Sequence, residues 1–312
     1  MPDRTLNPLR KPRARTYHSG NSEARTERTW ARIVESYEDV PGAYKQLFGT
    51  YFSKEQSFPY TVLTPSYERF GYRITEKLVS VFDDEIQILE SNEKNERGQH
   101  DCLDDISYVE VSSILLESRV KISGITRQGI SASSILRFSS ATDYLFAPIL
   151  RKIRLHTVVT TDVMANSECE KFDDWIHLNY KFMNLARGSL LGVEKVVCAI
   201  LQPEIQKSLL TILGKRYYRT ISPAHATILT DRELIMIREE ALQGRKDKYG
   251  GIWEYIPLSN IASLSLSGNT GSLLKLLIQL RTDEHFEYLY QASRQNELDD
   301  VVKQFGRLRS RE

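Results

Sequence analysis

Cysteine is scarce in this sequence: Cys102, Cys169 and Cys198 stand far apart and never as C-x-x-C. That leaves no disulfide framework or thiolate zinc site to build on, and fits a reducing compartment. The six histidines are scattered singly, with no H-x-x-x-H pair to chelate a metal from one helix. Gly244, Gly250, Gly251, Gly268 and Gly271 form neither G-x-G-x-x-G nor a phosphate loop ending in Lys-Ser or Lys-Thr, so they suit hairpin turns rather than a nucleotide. An excess of one charge is missing too. Lys plus Arg number 42 against 41 for Asp plus Glu, a net charge of +1. That balance argues against a dedicated nucleic-acid binder and confines any anion site to a local cluster. No apolar run approaches the roughly 20 residues of a membrane span, and the opening residues lack the apolar stretch of a secretory signal. The expectation is a cytoplasmic protein, at most peripheral to the inner face of a membrane, with no metal, no cofactor and no catalytic residues.

What is present is ordinary for a globular chain, 41% hydrophobic and 27% charged. At 312 residues it exceeds the usual single core, so two modules joined by helices are expected. Residues 1–28 carry Arg4, Arg10, Lys11, Arg13, Arg15, Arg25 and Arg28 against Asp3, Glu23 and Glu27. With few apolar groups to offset ordering entropy, they read as a disordered basic tail.

The most informative feature is an imperfect repeat. Thr61 to Tyr67 is matched by Ala199 to Ile205, each an apolar strand ended by a proline, Pro65 and Pro203. The hairpin Lys77 to Leu89, turning at Asp83-Asp84, is matched by Ala226 to Ile237, turning at Asp231-Arg232. A third piece, Ile106 to Ile114, is aligned with Trp253 to Ile261. Further strand-like runs follow in both halves, and each half closes with a helix. In the second half Leu298, Val301, Val302, Phe305 and Leu308 fall on one helical face. In the first, Leu145, Ile149 and Ile153 do so within Asp143 to His156, where Pro148 marks either a kink or the helix start.

Six or seven short strands followed by one amphipathic helix, with Thr230 to Ile237 (TDRELIMI) and Tyr255 to Ile261 (YIPLSNI), resemble bacterial PH-like and GRAM-like domains. The resemblance implies an α+β, mainly β fold: two PH-like partly open β-barrels, each closed by a C-terminal helix, plus an N-terminal and an inter-module helix. The expected organisation is a tail over 1–28, an N-terminal helical segment over 29–54, module one over 55–156, a helical linker over 157–193 and module two over 194–309. Trp30, Ile33, Val34 and Tyr37 mark the first extra helix, ended by Asp39 to Gly42; Trp175, Leu178, Phe182 and Leu185 mark the second, capped by Asp173 or Asp174. The core of module two is expected to include Ile228, Leu234, Met236, Tyr255, Ile261, Leu276, Ile278 and Phe305.

Chemistry-bearing groups are few. His100-Asp101-Cys102 are consecutive and are read as a polar loop, and the paired carboxylates Asp83-Asp84, Asp104-Asp105, Asp173-Asp174 and Asp299-Asp300 suit turns and helix starts. The one constellation with a binding role is Lys215, Arg216 and Arg219 with Tyr217 and Tyr218, near Lys207, between the first two strands of module two; Arg69, Arg73 and Lys77 are its sparser analogue in module one. In PH domains that recognise phosphoinositides the corresponding connection supplies the basic residues, and such groups clamp phosphate by charge-assisted bonds. The sequence therefore suggests a non-enzymatic binding or scaffold protein with a protein partner. The alternative is a peripheral membrane protein held by anionic lipid, and a hydrolase with its site between the modules is the remote one.

Overall fold

A computed structural model of the chain describes residues 29–52, 56–69, 72–92, 95–126, 128–156, 167–212, 215–239, 250–268 and 272–310; the basic tail lies outside the described residues. The fold is α+β and mainly β. Its first half runs β1 (Arg32–Val34), α1 (Gly42–Gly49), β2 (Tyr60–Leu63), β3 (Tyr67–Arg69), β4 (Tyr72–Ile74), β5 (Lys77–Val81), β6 (Glu85–Asn92), β7 (Asn95–Cys102), β8 (Ile106–Ile114), β9 (Glu117–Ile125), β10 (Ser131–Ser139) and α2 (Ala147–Leu155). Two linker helices follow, α3 (Ser167–Glu170) and α4 (Ile176–Ser189). The second half runs β11 (Val196–Gln202), β12 (Ile205–Ile212), β13 (Lys215–Ser222), β14 (His225–Thr230), β15 (Glu233–Arg238), β16 (Gly251–Pro257), β17 (Ile261–Gly268), β18 (Leu273–Leu280), β19 (His285–Gln291) and α5 (Gln295–Arg309). From β2 to α2 and from β11 to α5 the element order is the same, down to the 3-10 turns Leu103–Asp105 and Leu258–Asn260 before β8 and β17.

The repeat is therefore real in element order, but its third piece is displaced. Ile106 opens β8 as Ile261 opens β17, so the counterpart of Trp253 to Pro257 is β7, not β8. The two segments aligned as copies are instead neighbours: β8 and β16 pair antiparallel, with Val109 opposite Tyr255 and Glu110 opposite Glu254. Similar strand-length apolar runs make such a slip easy. The pairing fuses the halves, since β10-β9-β8-β16-β15-β14-β11 form one sheet, while β1-β2-β5-β6-β7 and β17-β18-β19 stand as separate sheets. Among the described residues no sheet closes on itself. At the start of the joint Gly250 has φ +78°, and a Cβ there would lie 1.8 Å from the Ser113 carbonyl oxygen, so only glycine fits.

Burial follows both faces of these sheets. Val62, Val79, Ile86, Ile88, Val109 and Val120 pack with Ile149 and Ile153 of α2 in the first half. Leu234, Met236, Ile261, Leu276 and Ile278 pack with Leu298, Val301 and Phe305 of α5 in the second. The other face of β14, β15 and β16 meets the linker through Phe172, Trp175, Phe182, Met183 and Ala186. All eight core residues expected for the second half are buried, yet Ile228 and Tyr255 face this linker rather than α5. Alternation was unreadable there because every residue of β14 is covered on one face or the other.

Three helical expectations change. Trp30 to Tyr37 is not a helix: Arg32–Val34 is strand β1, antiparallel to β2 with Ile33 opposite Val62, and the real helix, α1, begins at Gly42 where the expected one ended. An open sheet edge supplies hydrogen bonds that a short, frayed helix cannot match. In α4 Phe182 is buried but Leu178 points to solvent, because Asn179 (φ −164°, ψ 96°) breaks the helix and rotates its first turn. Asp173 and Asp174 lie within a 3-10 turn and make no side-chain cap. No described helix is long and apolar enough to cross a membrane.

Candidate anion-binding hairpin

The basic constellation of the second half sits on β12 and β13, which among the described residues pair only with each other. Lys207 lies directly opposite Arg219 and Thr211 opposite Arg216, with a bulge between Ser208 and Leu210. Successive strand residues point to opposite faces, so Arg219 and Tyr217 share one face and Arg216 and Tyr218 the other, while Ile221 falls at a second register shift near the base. The cations therefore do not form one clamp. Lys207 and Arg219 stand together, and Arg216 is on the reverse side. The side chain of Lys215 lies outside the described residues.

Among the described residues of this hairpin burial stops at its base, at Ile205 and Ser222. Beyond it Leu209, Tyr217, Tyr218 and Ile221 are 58%, 50%, 53% and 40% exposed, an apolar and aromatic surface interleaved with Lys207, Arg216 and Arg219. The nearby acid, Glu204, is held at the base, where it accepts hydrogen bonds from Gln206 Nε2 (3.1 Å) and the Thr220 hydroxyl. The sequence pointed to the cations and tyrosines but not to Leu209 and Ile221, whose exposure follows only from a hairpin, residues 205–222, that projects from the sheet.

The analogue in the first half is weaker. β3 and β4 have three residues each, Arg73 lies opposite Glu68, and the side chain of Arg69 is outside the described residues. Lys77 heads β5 and forms an ion pair with Glu90 across the sheet at 3.2 Å.

Two buried polar clusters were invisible in the sequence because distant segments build them. At the joint, Arg154 of α2 donates to Glu233 of β15 and to the Ser189 carbonyl (2.8 Å), lies 3.5 Å from Glu194, and stacks on Tyr255 at 3.8 Å. Burial, reinforced by the Glu233 charge, holds the Glu194 carboxyl well above the ordinary carboxylate range. The cavity beside them has room of about 30 Å³, enough for a water and far too little for a substrate. Inside the second half His225 stacks edge-on to Tyr290 at 4.7 Å, its Nδ1 3.0 Å from the Pro223 carbonyl, and burial lowers its pKa to about 4. Neighbouring Glu254 accepts from Arg238 at 3.2 Å and from the Tyr288 hydroxyl.

His100, Asp101 and Cys102 belong to strand β7, not to a loop, and lie opposite Gln87, Ile86 and Glu85. Asp83-Asp84 form the β5–β6 turn as expected, while Asp299-Asp300 fall after the first turn of α5. No three His, Cys, Asp or Glu side chains converge as a metal site among the described residues. No protein-family model and no curated protein matches the chain.

Proposed function

We propose that the chain is a non-enzymatic binding protein of two PH-like modules, over 55–156 and 194–309, that presents the β12–β13 hairpin to an anionic membrane surface from the cytoplasmic side. The modular reading is supported by a four-plus-three strand order, with an inserted hairpin and a closing helix, present twice. The membrane reading rests on one observation: Leu209, Tyr217, Tyr218 and Ile221 are exposed among Lys207, Arg216 and Arg219 on an element whose burial, among the described residues, ends at its base. Cations on both faces suit a hairpin entering the headgroup layer tip first, where aromatic and aliphatic groups bury and basic groups meet lipid phosphates. Each basic residue near such a surface contributes about 1 kcal/mol, so three give about 3 kcal/mol, a weak and salt-sensitive attachment.

Sedimentation with vesicles of phosphatidylserine and phosphatidylcholine tests it. The chain should pellet with anionic vesicles at low salt, not with neutral ones, and release as salt rises. The triple variant Lys207→Glu, Arg216→Glu, Arg219→Glu should stay in solution with unchanged thermal stability, because its side chains are exposed. Equal pelleting of that variant, or no pelleting of the unaltered chain at low salt, overturns the membrane reading and favours a protein partner for the same hairpin.

A further inference from the structure

A second surface, on the first half, is unlike the hairpin in sign. A groove of about 720 Å³ is lined by Tyr51, Phe58, Tyr60 and Phe82 together with Asp83, Asp84, Glu85 and Lys152 of α2. Asp83 and Asp84 are exposed at the β5–β6 turn, and neither is ion-paired among the described residues. Aromatic walls with a carboxylate rim suit a cationic, extended peptide: ring faces attract guanidinium groups and pack on proline, while the carboxylates fix the direction of the chain.

The chain carries a peptide of that chemistry. Pro8-Leu9-Arg10-Lys11-Pro12-Arg13-Ala14-Arg15 holds four cations, two prolines and no acid. Prolines favour the extended left-handed conformation and reduce the entropy lost on docking. The point of attachment is also close. The Thr29 carbonyl accepts from Ser139 N (2.9 Å) and Ala31 N donates to the Thr142 hydroxyl (3.3 Å), at the Ser139–Leu145 corner to which the Tyr60 hydroxyl is bonded through the Leu145 carbonyl (2.8 Å). From Arg15 to Thr29 an extended chain reaches about 45 Å, ample to return to the groove.

We propose that residues 8–15 dock in the groove of their own chain, with Asp83 and Asp84 facing the arginines. This does not rest on the membrane reading of the hairpin, which lies in the other half. Docking holds the tail's cations on the protein, against three carboxylates and one lysine.

Limited trypsin digestion of the full chain tests it. At about 50 mM salt, cleavage after Arg10, Arg13 and Arg15 should be about tenfold slower than at about 500 mM, where exposed charges are screened. Asp83→Lys with Asp84→Lys should abolish the protection at low salt. If that variant melts early, the milder Asp83→Asn with Asp84→Asn replaces it, and should lose most of the protection. At low salt a fluorescent peptide of residues 5–18 should bind the full chain weakly in trans, and more tightly a chain from which residues 1–28 have been deleted. Equal cleavage rates in the unaltered chain and the variant at low salt overturn the proposal. So does protection that grows with protein concentration in step with a dimer on sedimentation, which would place the tail on a second copy.

Discussion

β7 and β16 hold the same place in the two halves and have met opposite demands. β16 is Gly-Ile-Trp-Glu-Tyr-Ile-Pro, bonded on one side to β15 and on the other to β8 of the first half. β7 is Asn-Glu-Arg-Gly-Gln-His-Asp-Cys, bonded to β6 alone among the described residues. An apolar strand with an open edge would template pairing with other chains; charge and polarity along β7 prevent it. The position before the next hairpin shows the same divergence: Lys77 stays at the rim in an ion pair with Glu90, whereas His225 is buried against Tyr290. The same element order thus leaves each residue to be chosen by the neighbour it meets.

The sharpest way to break the comparison is at the closing helices. Phe305 of α5 and Ile153 of α2 are each the last buried position of their helix. Phe305→Ala should cost about 3–5 kcal/mol and Ile153→Ala about 2–5, both read as lower denaturant midpoints. If either leaves the midpoint unchanged, that helix does not seal its half.

Next comes the joint. Arg154→Ala strands Glu233 and Glu194 without their cation and should cost about 3–5 kcal/mol. Arg137→Ala, which breaks a half-exposed pair with Glu117 in the same sheet, should cost about 1 kcal/mol or less. Comparable losses would mean that the joint depends on strand pairing and not on the buried ion cluster.

His225 is neutral in the fold with its pKa lowered from 6.5 to about 4, so its contribution is intact above pH 6.5 and is lost as pH falls through 4. On the order of 3 kcal/mol disappears over that window. His225→Gln should flatten the acid side of the stability profile relative to the unaltered chain, whereas Lys77→Gln should leave it in place. Parallel profiles for the unaltered chain and His225→Gln would contradict the burial of a neutral imidazole.

Smaller effects belong to the strand starts. Gly250→Ala must give up the φ +78° backbone and displace Ser113, a loss of about 2–3 kcal/mol in urea unfolding. Asn95 stands at the corresponding start of β7, and Asn95→Gly should change stability by less than about 0.5 kcal/mol. An innocuous Gly250→Ala would show that the joint tolerates a shifted register.

Sequence alone determined the mainly β class, the duplicated element order, the closing helices and the basic character of residues 207–219, because each is written in local periodicity, proline stops and charge. Leu298, Val301 and Phe305 announce their helix face by spacing, and Pro148 its start, whatever surrounds them. Tertiary structure decided the rest. Trp30 to Tyr37 fits a helix or a strand, and only the open edge of β2 makes it β1. Ile228 and Tyr255 were bound to be buried, but which core they enter depends on the linker covering a second face of the sheet. The separation of Arg216 from Lys207 and Arg219 follows from hairpin register, and the Arg154, Glu233 and Glu194 cluster from the β8–β16 pairing. Those are contacts between residues far apart in the chain, and no local pattern encodes them.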